Sequence, residues 1–150
     1  MATESKIIFN ELTLQNFKIF DQAKIVFSPK TLFIGKNGAG KTSILEAIKW
    51  VWYGKHISRN DIEIPSQFLI NIDDVKNKDR VLSVSLEFSH NEEKYLIRRQ
   101  IEIDDTQDID DGIGSVNSYL RNLTEDQIKT EFSMKINDNS ISDQEGEKKL

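Results

Sequence analysis

The sequence predicts an α/β fold of the P-loop NTPase kind: a buried strand, a glycine loop and a helix, flanked by an antiparallel β subdomain. Three observations predict it. "TLFI" at 31–34 is an uninterrupted apolar run of strand length, the pattern of a strand covered on both faces. Gly35-Lys36-Asn37-Gly38-Ala39-Gly40-Lys41-Thr42 fits G-x-x-x-x-G-K-[ST]. From Lys41 to Tyr53, Ile44, Ile48, Val51 and Trp52 recur at helical spacing, Leu45 and Ala47 widen the stripe, and Gly54 is placed to end the segment.

The remaining elements follow in order. Residues 7–14 and 23–27 are rich in Ile, Leu, Phe and Val, are bounded by Asn16 to Lys18 and by Ser28-Pro29, and read as paired strands. Residues 55–80 read as an irregular surface excursion with one short strand at "FLINI". Residues 81–89 and 94–103 alternate apolar and polar side chains around the turn-rich "HNEE", which predicts a hairpin. The acidic, glycine-bearing stretch 102–115 precedes one more strand at 132–138. Ser142 with Glu145 has capping-box spacing, so a further helix is expected to begin there.

Composition narrows the function classes. The chain has 150 residues, 37% of them hydrophobic, enough for one core of ordinary domain size. It has no cysteine, so disulfide frameworks and thiolate metal sites are excluded and the cytoplasm is the expected location. No apolar run approaches the roughly 18 residues that span a bilayer, so no membrane partner is expected. The net charge of −5 is uneven: residues 1–60 carry 9 Lys and Arg against 4 Asp and Glu, and residues 61–150 carry 11 against 21. The basic part holds the glycine loop and suits a polyanion.

The chemistry of the loop explains its spacing. Glycines let successive backbone N–H groups converge on one concavity, and the helix behind adds a partial positive charge of roughly half a unit. Lys41 is expected to reach the β- and γ-phosphates and to act in catalysis, and the Thr42 hydroxyl to ligate Mg2+. Guanine-reading motifs fail: in "NKDR" at 77–80, Arg80 stands where an aspartate is required. An acid ending an apolar strand, needed to hold the metal and polarise water, is imitated only by Asp73 and Asp74, which read better as a solvated turn. His56 and His90 have no ligand neighbours in sequence and read as surface residues. Asp104, Asp105, Asp108, Asp110 and Asp111 lack the glutamate that completes a calcium loop.

The stretch "LTLQNFKIFDQAKIVFSPKTLFIGKNGAGKTSILEAIKWVWYG" resembles the opening of SMC-type ATPase heads: chromosome-maintenance proteins, the ATPase of double-strand-break repair nucleases, RecF, RecN and DndD proteins. Asn16-Phe17-Lys18 matches their corner between the first strands, and Asn37, Gly38, Gly40, Lys41, Thr42 and Ser43 fill their loop pattern. The resemblance implies an ABC-type head N-terminal lobe over residues 1–150, with a coiled coil and a second lobe carrying the Walker B acid and signature motif outside it. It also implies that Lys18 lies beside the nucleotide. The implied cofactors are ATP and Mg2+, bound by Lys18 and by Gly35, Lys36, Asn37, Gly38, Ala39, Gly40, Lys41, Thr42 and Ser43. The implied partners are a second copy of the head, joined through ATP, together with DNA and a nuclease or DNA-modification protein. Gln144 is not assignable as the family's metal-sensing glutamine. The competing reading is a stand-alone P-loop nucleotide-binding or kinase-like module, but Arg98 and Arg99, the only adjacent arginines, would face opposite sides of a strand and form no lid.

Overall fold

The computed structural model describes residues 5–36, 38, 40–57, 60–109, 113–137 and 139–141. Long alternating segments pair into one antiparallel sheet: β1 (Ile7–Phe17), β2 (Phe20–Val26), β5 (Val81–His90), β6 (Glu93–Ile103), β7 (Ile128–Ile136) and β8 (Asn139–Ile141), in the order β2-β1-β5-β6-β7-β8. The register sends every second side chain to one face. Leu12, Leu86 and Ile97 share one cross-strand row of that face, and Leu14, Val84 and Arg99 the next. On this face lies α1 (Lys41–Tyr53), which buries Ile44, Ala47, Trp50 and Val51. Trp52, half-buried, rests on Phe88 with ring centres 4.9 Å apart.

The hairpin 81–103 and the helix 41–53 appear as the sequence predicts. Gly54 ends α1 in the left-handed region at φ 75, its N–H donating to the Trp50 carbonyl. Arg98 is exposed and Arg99 buried, as alternation requires. Arg99 lies under the end of α1, donates to the Val51 carbonyl, and covers the Phe132 ring at 4.5 Å.

The strand expected at 31–34 is absent. These residues are irregular, and Leu32 and Ile34 are 80% and 86% exposed. An interior strand exists only where neighbours satisfy both of its edges, and no strand among the described residues pairs with this run. "FLINI" also differs: Ser66–Leu69 is a 3-10 turn, Ile70 makes a single bridge to Phe17, and α2 (Ile72–Lys76) begins at once. Two short strands, β3 (His56–Ile57) and β4 (Glu63–Ile64), pair within the segment read as irregular, and α3 (Ile113–Arg121) follows the acidic stretch. The last predicted strand runs over Ile128–Ile136 instead of 132–138. Ser142, Gln144 and Glu145 lie outside the described residues.

Candidate functional site

The site is assembled where the β1–β2 corner meets the start of α1. Gly40 caps α1 at φ 98, and a Cβ there would stand 2.6 Å from Phe20 Cζ and 2.9 Å from Ile19 Cδ1. Only glycine satisfies both the backbone and the space. The α1 N-terminus has no side-chain cap and no acid in its first turn, and its first intrahelical bond runs from Ile44 N to the Gly40 carbonyl. The N–H groups of Lys41, Thr42 and Ser43 precede that bond and have no helical acceptor. They give the start of the helix an uncancelled positive end.

Lys41 Nζ donates to the Gly35 carbonyl, closing the loop on itself. Gly38 is left-handed at φ 84, and Asn37 and Ala39 lie outside the described residues. Lys36 is exposed and Ser43 buried. The residues present fit a polyphosphate with Mg2+: amide donors with no helical acceptor, a lysine amine held by one carbonyl, and the Thr42 hydroxyl on the first turn. The fit rests on donors alone, since no acid stands in that turn to repel a phosphate.

The corner that carries Lys18 is held in an unusual conformation. Asn16 and Lys18 have φ 53 and 50, on either side of the fully buried Phe17. Such non-glycine residues cost of order 1–3 kcal/mol and persist only where the surroundings fix them. Here Lys18 N donates to the Leu69 carbonyl at 2.7 Å, Asn71 N donates to the Asn16 carbonyl at 2.8 Å, and Asn16 Nδ2 donates to the Val81 carbonyl at 2.8 Å. The Lys18 ammonium meets Glu46 Oε2 of α1 at 2.5 Å. Beside this pair, His56 is half-buried instead of lying free on the surface; burial and, next, Lys18 push its pKa down, while Glu46 opposes them. Glu46 and His56 line a hollow of about 490 Å³ with Lys49, Tyr53, Lys55 and Asp61.

Asp73 and Asp74 stand in the first turn of α2, where Asn71 Oδ1 accepts from both of their N–H groups. They are therefore not at a strand end facing the loop. Burial, then the neighbouring Asp21, Asp79 and Asp73, push the Asp74 carboxyl up to about 6. Arg80, the residue that spoiled the guanine motif, is a buried tie: it donates to the Val75, Asp105 and Gln107 carbonyls and to the Tyr119 hydroxyl. Glu46 is not singled out in the sequence, and His56 reads there as a surface residue. The i, i+4 spacing of Thr42 and Glu46 was the only local signal that Glu46 shares a face with the loop residues.

Comparison with known proteins bears on this geometry. Residues 11–147 match the family described as an AAA domain. Over 98 residues, 63% of its length, the chain is 36% identical to the DNA double-strand break repair Rad50 ATPase of Archaeoglobus fulgidus, covering 10% of that protein. Over 94 residues, 59% of its length, it is 32% identical to the DNA replication and repair protein RecF of Flavobacterium johnsoniae, covering 26% of it. A solved structure of the recombination mediator protein RecF with ATP superposes with a TM-score of 0.57 at 18% identity, over 93% of this chain and 30% of that one. The chain thus spans a third or less of each of these proteins. The superposition agrees with the α/β, P-loop ABC-type architecture.

Proposed function

The chain belongs to the AAA domain family, and from that premise we propose that residues 1–150 form the ATP-binding, N-terminal lobe of an SMC-like ABC-type ATPase head that works in DNA repair. The observation that carries this reading is the open, acid-free start of α1 behind the left-handed Gly40. Bound ATP with Mg2+ supplies the phosphoryl group and the metal charge. The chain's own part is to hold phosphate oxygens on the amides of residues 41–43, to set the Lys41 ammonium on the β- and γ-phosphates after it leaves the Gly35 carbonyl, and to offer the Thr42 hydroxyl to the metal. Gly35, Lys36, Gly38 and Gly40 belong to the same cradle, and Lys18 approaches from the β1–β2 corner.

The split of the head into two lobes is supported by the exposed run at 31–34. Leu32 and Ile34 leave apolar surface exposed just ahead of the loop. A second lobe covers it and completes the sheet around residues 31–34. Turnover needs groups from that lobe and from an opposing head, because charge developing on the transferred phosphoryl must be met from several directions. The coiled coil, homodimer, DNA, cytoplasmic location and any nuclease, DNA-modification or antiphage role belong to this proposal and rest on the likeness to the repair ATPases. Among the described residues no helix is long and apolar enough to cross a membrane.

The test is calorimetric titration of the chain with ATP and Mg2+ beside its Lys41→Ala variant. One charge-assisted contact is worth about 1.5–3 kcal/mol, so the variant should bind roughly ten- to a hundredfold more weakly. Equal affinities would mean that the loop is not the site.

A further inference from the structure

The residue that answers Lys18 lies one helical turn behind the loop. Thr42 and Glu46 are four apart on α1, so they stand above one another on one face, their Cβ atoms about 5–6 Å apart. The Lys18 ammonium sits on Glu46 at 2.5 Å, both side chains about a quarter exposed. The strained corner leaves the Lys18 backbone little freedom, since Phe17 is fully buried and hydrogen bonds tie Asn16, Lys18 and Asn71 across it. What remains mobile is the four-carbon stem. A lysine stem spans the one turn that separates Glu46 from the first turn of α1, and a phosphate there competes with the carboxylate for the same ammonium.

We propose that Glu46 is the positioning residue for Lys18: it holds the ammonium one turn behind the loop in the free chain and surrenders it to nucleotide phosphate, whereupon the Glu46 carboxylate turns its charge to His56. The proposal rests on the nucleotide reading of the loop and adds to it an exchange of partners. His56 reports the exchange because it lies beside both members of the pair. In the free chain the Lys18 charge opposes protonation of the ring and the Glu46 charge favours it. When the ammonium leaves, burial and the carboxylate remain, so His56 takes up a proton from solvent more readily. The other groups around the hollow are Lys49 and Tyr53 on α1, and Lys55 and Asp61 in the segments flanking β3. They keep their places in the exchange, so the change at His56 belongs to Lys18.

The experiment is an NMR pH titration of the two histidines, with and without a non-hydrolysable ATP analogue and Mg2+. His90, whose ring bonds Ser5 at the far end of the sheet, is the internal control. The midpoint of His56 should rise with nucleotide and that of His90 should not. Lys18→Met should raise the His56 midpoint in the free chain and abolish any further rise. Glu46→Gln should bind the analogue about two- to fivefold more tightly, because the partly buried ion pair no longer competes for the Lys18 ammonium, and should leave His56 unmoved by nucleotide. Lys41-dependent binding with an unmoved His56 in the unaltered chain overturns this proposal and leaves the nucleotide reading standing. Absence of Lys41-dependent binding overturns both. A weaker-binding Glu46→Gln also overturns it, since Glu46 would then assist the nucleotide instead of competing with it.

Discussion

Two helices begin close to the same strained corner and begin in opposite ways. At α2, Asn71 accepts from the N–H groups of Asp73 and Asp74, and two carboxylates stand in the first turn. That end is sealed to an anion twice over, by a cap and by charge. At α1, glycine replaces the capping side chain and the first turn holds no acid. Glycine in place of a capping side chain costs a helix about a few tenths of a kcal/mol, so the open start is a small sacrifice of local stability. With no side-chain cap and no acid in its first turn, that end of α1 is better suited to an anion than the start of α2. An open helix start is thus recognised by what has been left out, and the comparison between the two ends carries more than either alone.

The largest expected way to break the comparison is Gly40→Ala. The added methyl meets Phe20 Cζ at 2.6 Å and forces an L residue to φ 98. Left-handed strain of roughly 1–2 kcal/mol and the displacement of an aromatic ring together should lower stability by about 2–3 kcal/mol, measured by urea unfolding with unchanged m-value. A loss within 0.5 kcal/mol would mean that the corner does not press on the loop. Smaller is Asn71→Ala at the sealed end, where loss of the cap should cost about 1 kcal/mol and leave nucleotide affinity within twofold. A large loss of affinity would show that α2 supports the loop after all, through the hydrogen bond of Asn71 N to the Asn16 carbonyl.

What was legible in the sequence divides along the same physical line. Val81–His90 and Glu93–Ile103 are self-contained: each alternates, each pairs with the other, and the tight turn at Asn91 and Glu92 takes φ 50 and 67. The helix over 41–53 and its glycine stop were equally plain, because periodicity and a left-handed cap are local. The run at 31–34 was read by an equally local rule, and the rule failed because a buried strand is a statement about neighbours. α2 is a helix of five residues, too short for periodicity, and only the cap at Asn71 marks it. α3 could have been found, since Val116, Tyr119 and Leu120 stand at i, i+3 and i+4 and are buried. The pairing of Lys18 with Glu46 and the burial of Arg80 could not, because distant segments bring those charges together.

The smallest prediction sharpens the comparison at the sealed end. Asp74 stands where the positive end of α2 should hold a carboxyl below its ordinary range, yet it is pushed up to about 6 by burial first and by Asp21, Asp79 and Asp73 after it. Negative charge there exceeds what one short helix can balance. The folded value lies above the ordinary 3.8, so the folded chain keeps a proton that the unfolded chain has released. Stability contributed by this group is therefore intact below about pH 4, falls as the pH climbs through the window from about 4 to 6, and stays reduced above it. Asp74→Asn removes the charge and keeps a side chain of the same shape. At pH 7.5 the variant should be the more stable by up to about 1 kcal/mol, a figure held low because the side chain is only partly buried and solvent still screens it. At pH 4 the two proteins should unfold at the same urea concentration. A gain of equal size at both pH values would show that the substitution acts through packing or hydrogen bonding, and that the α2 start tolerates its carboxylates without cost.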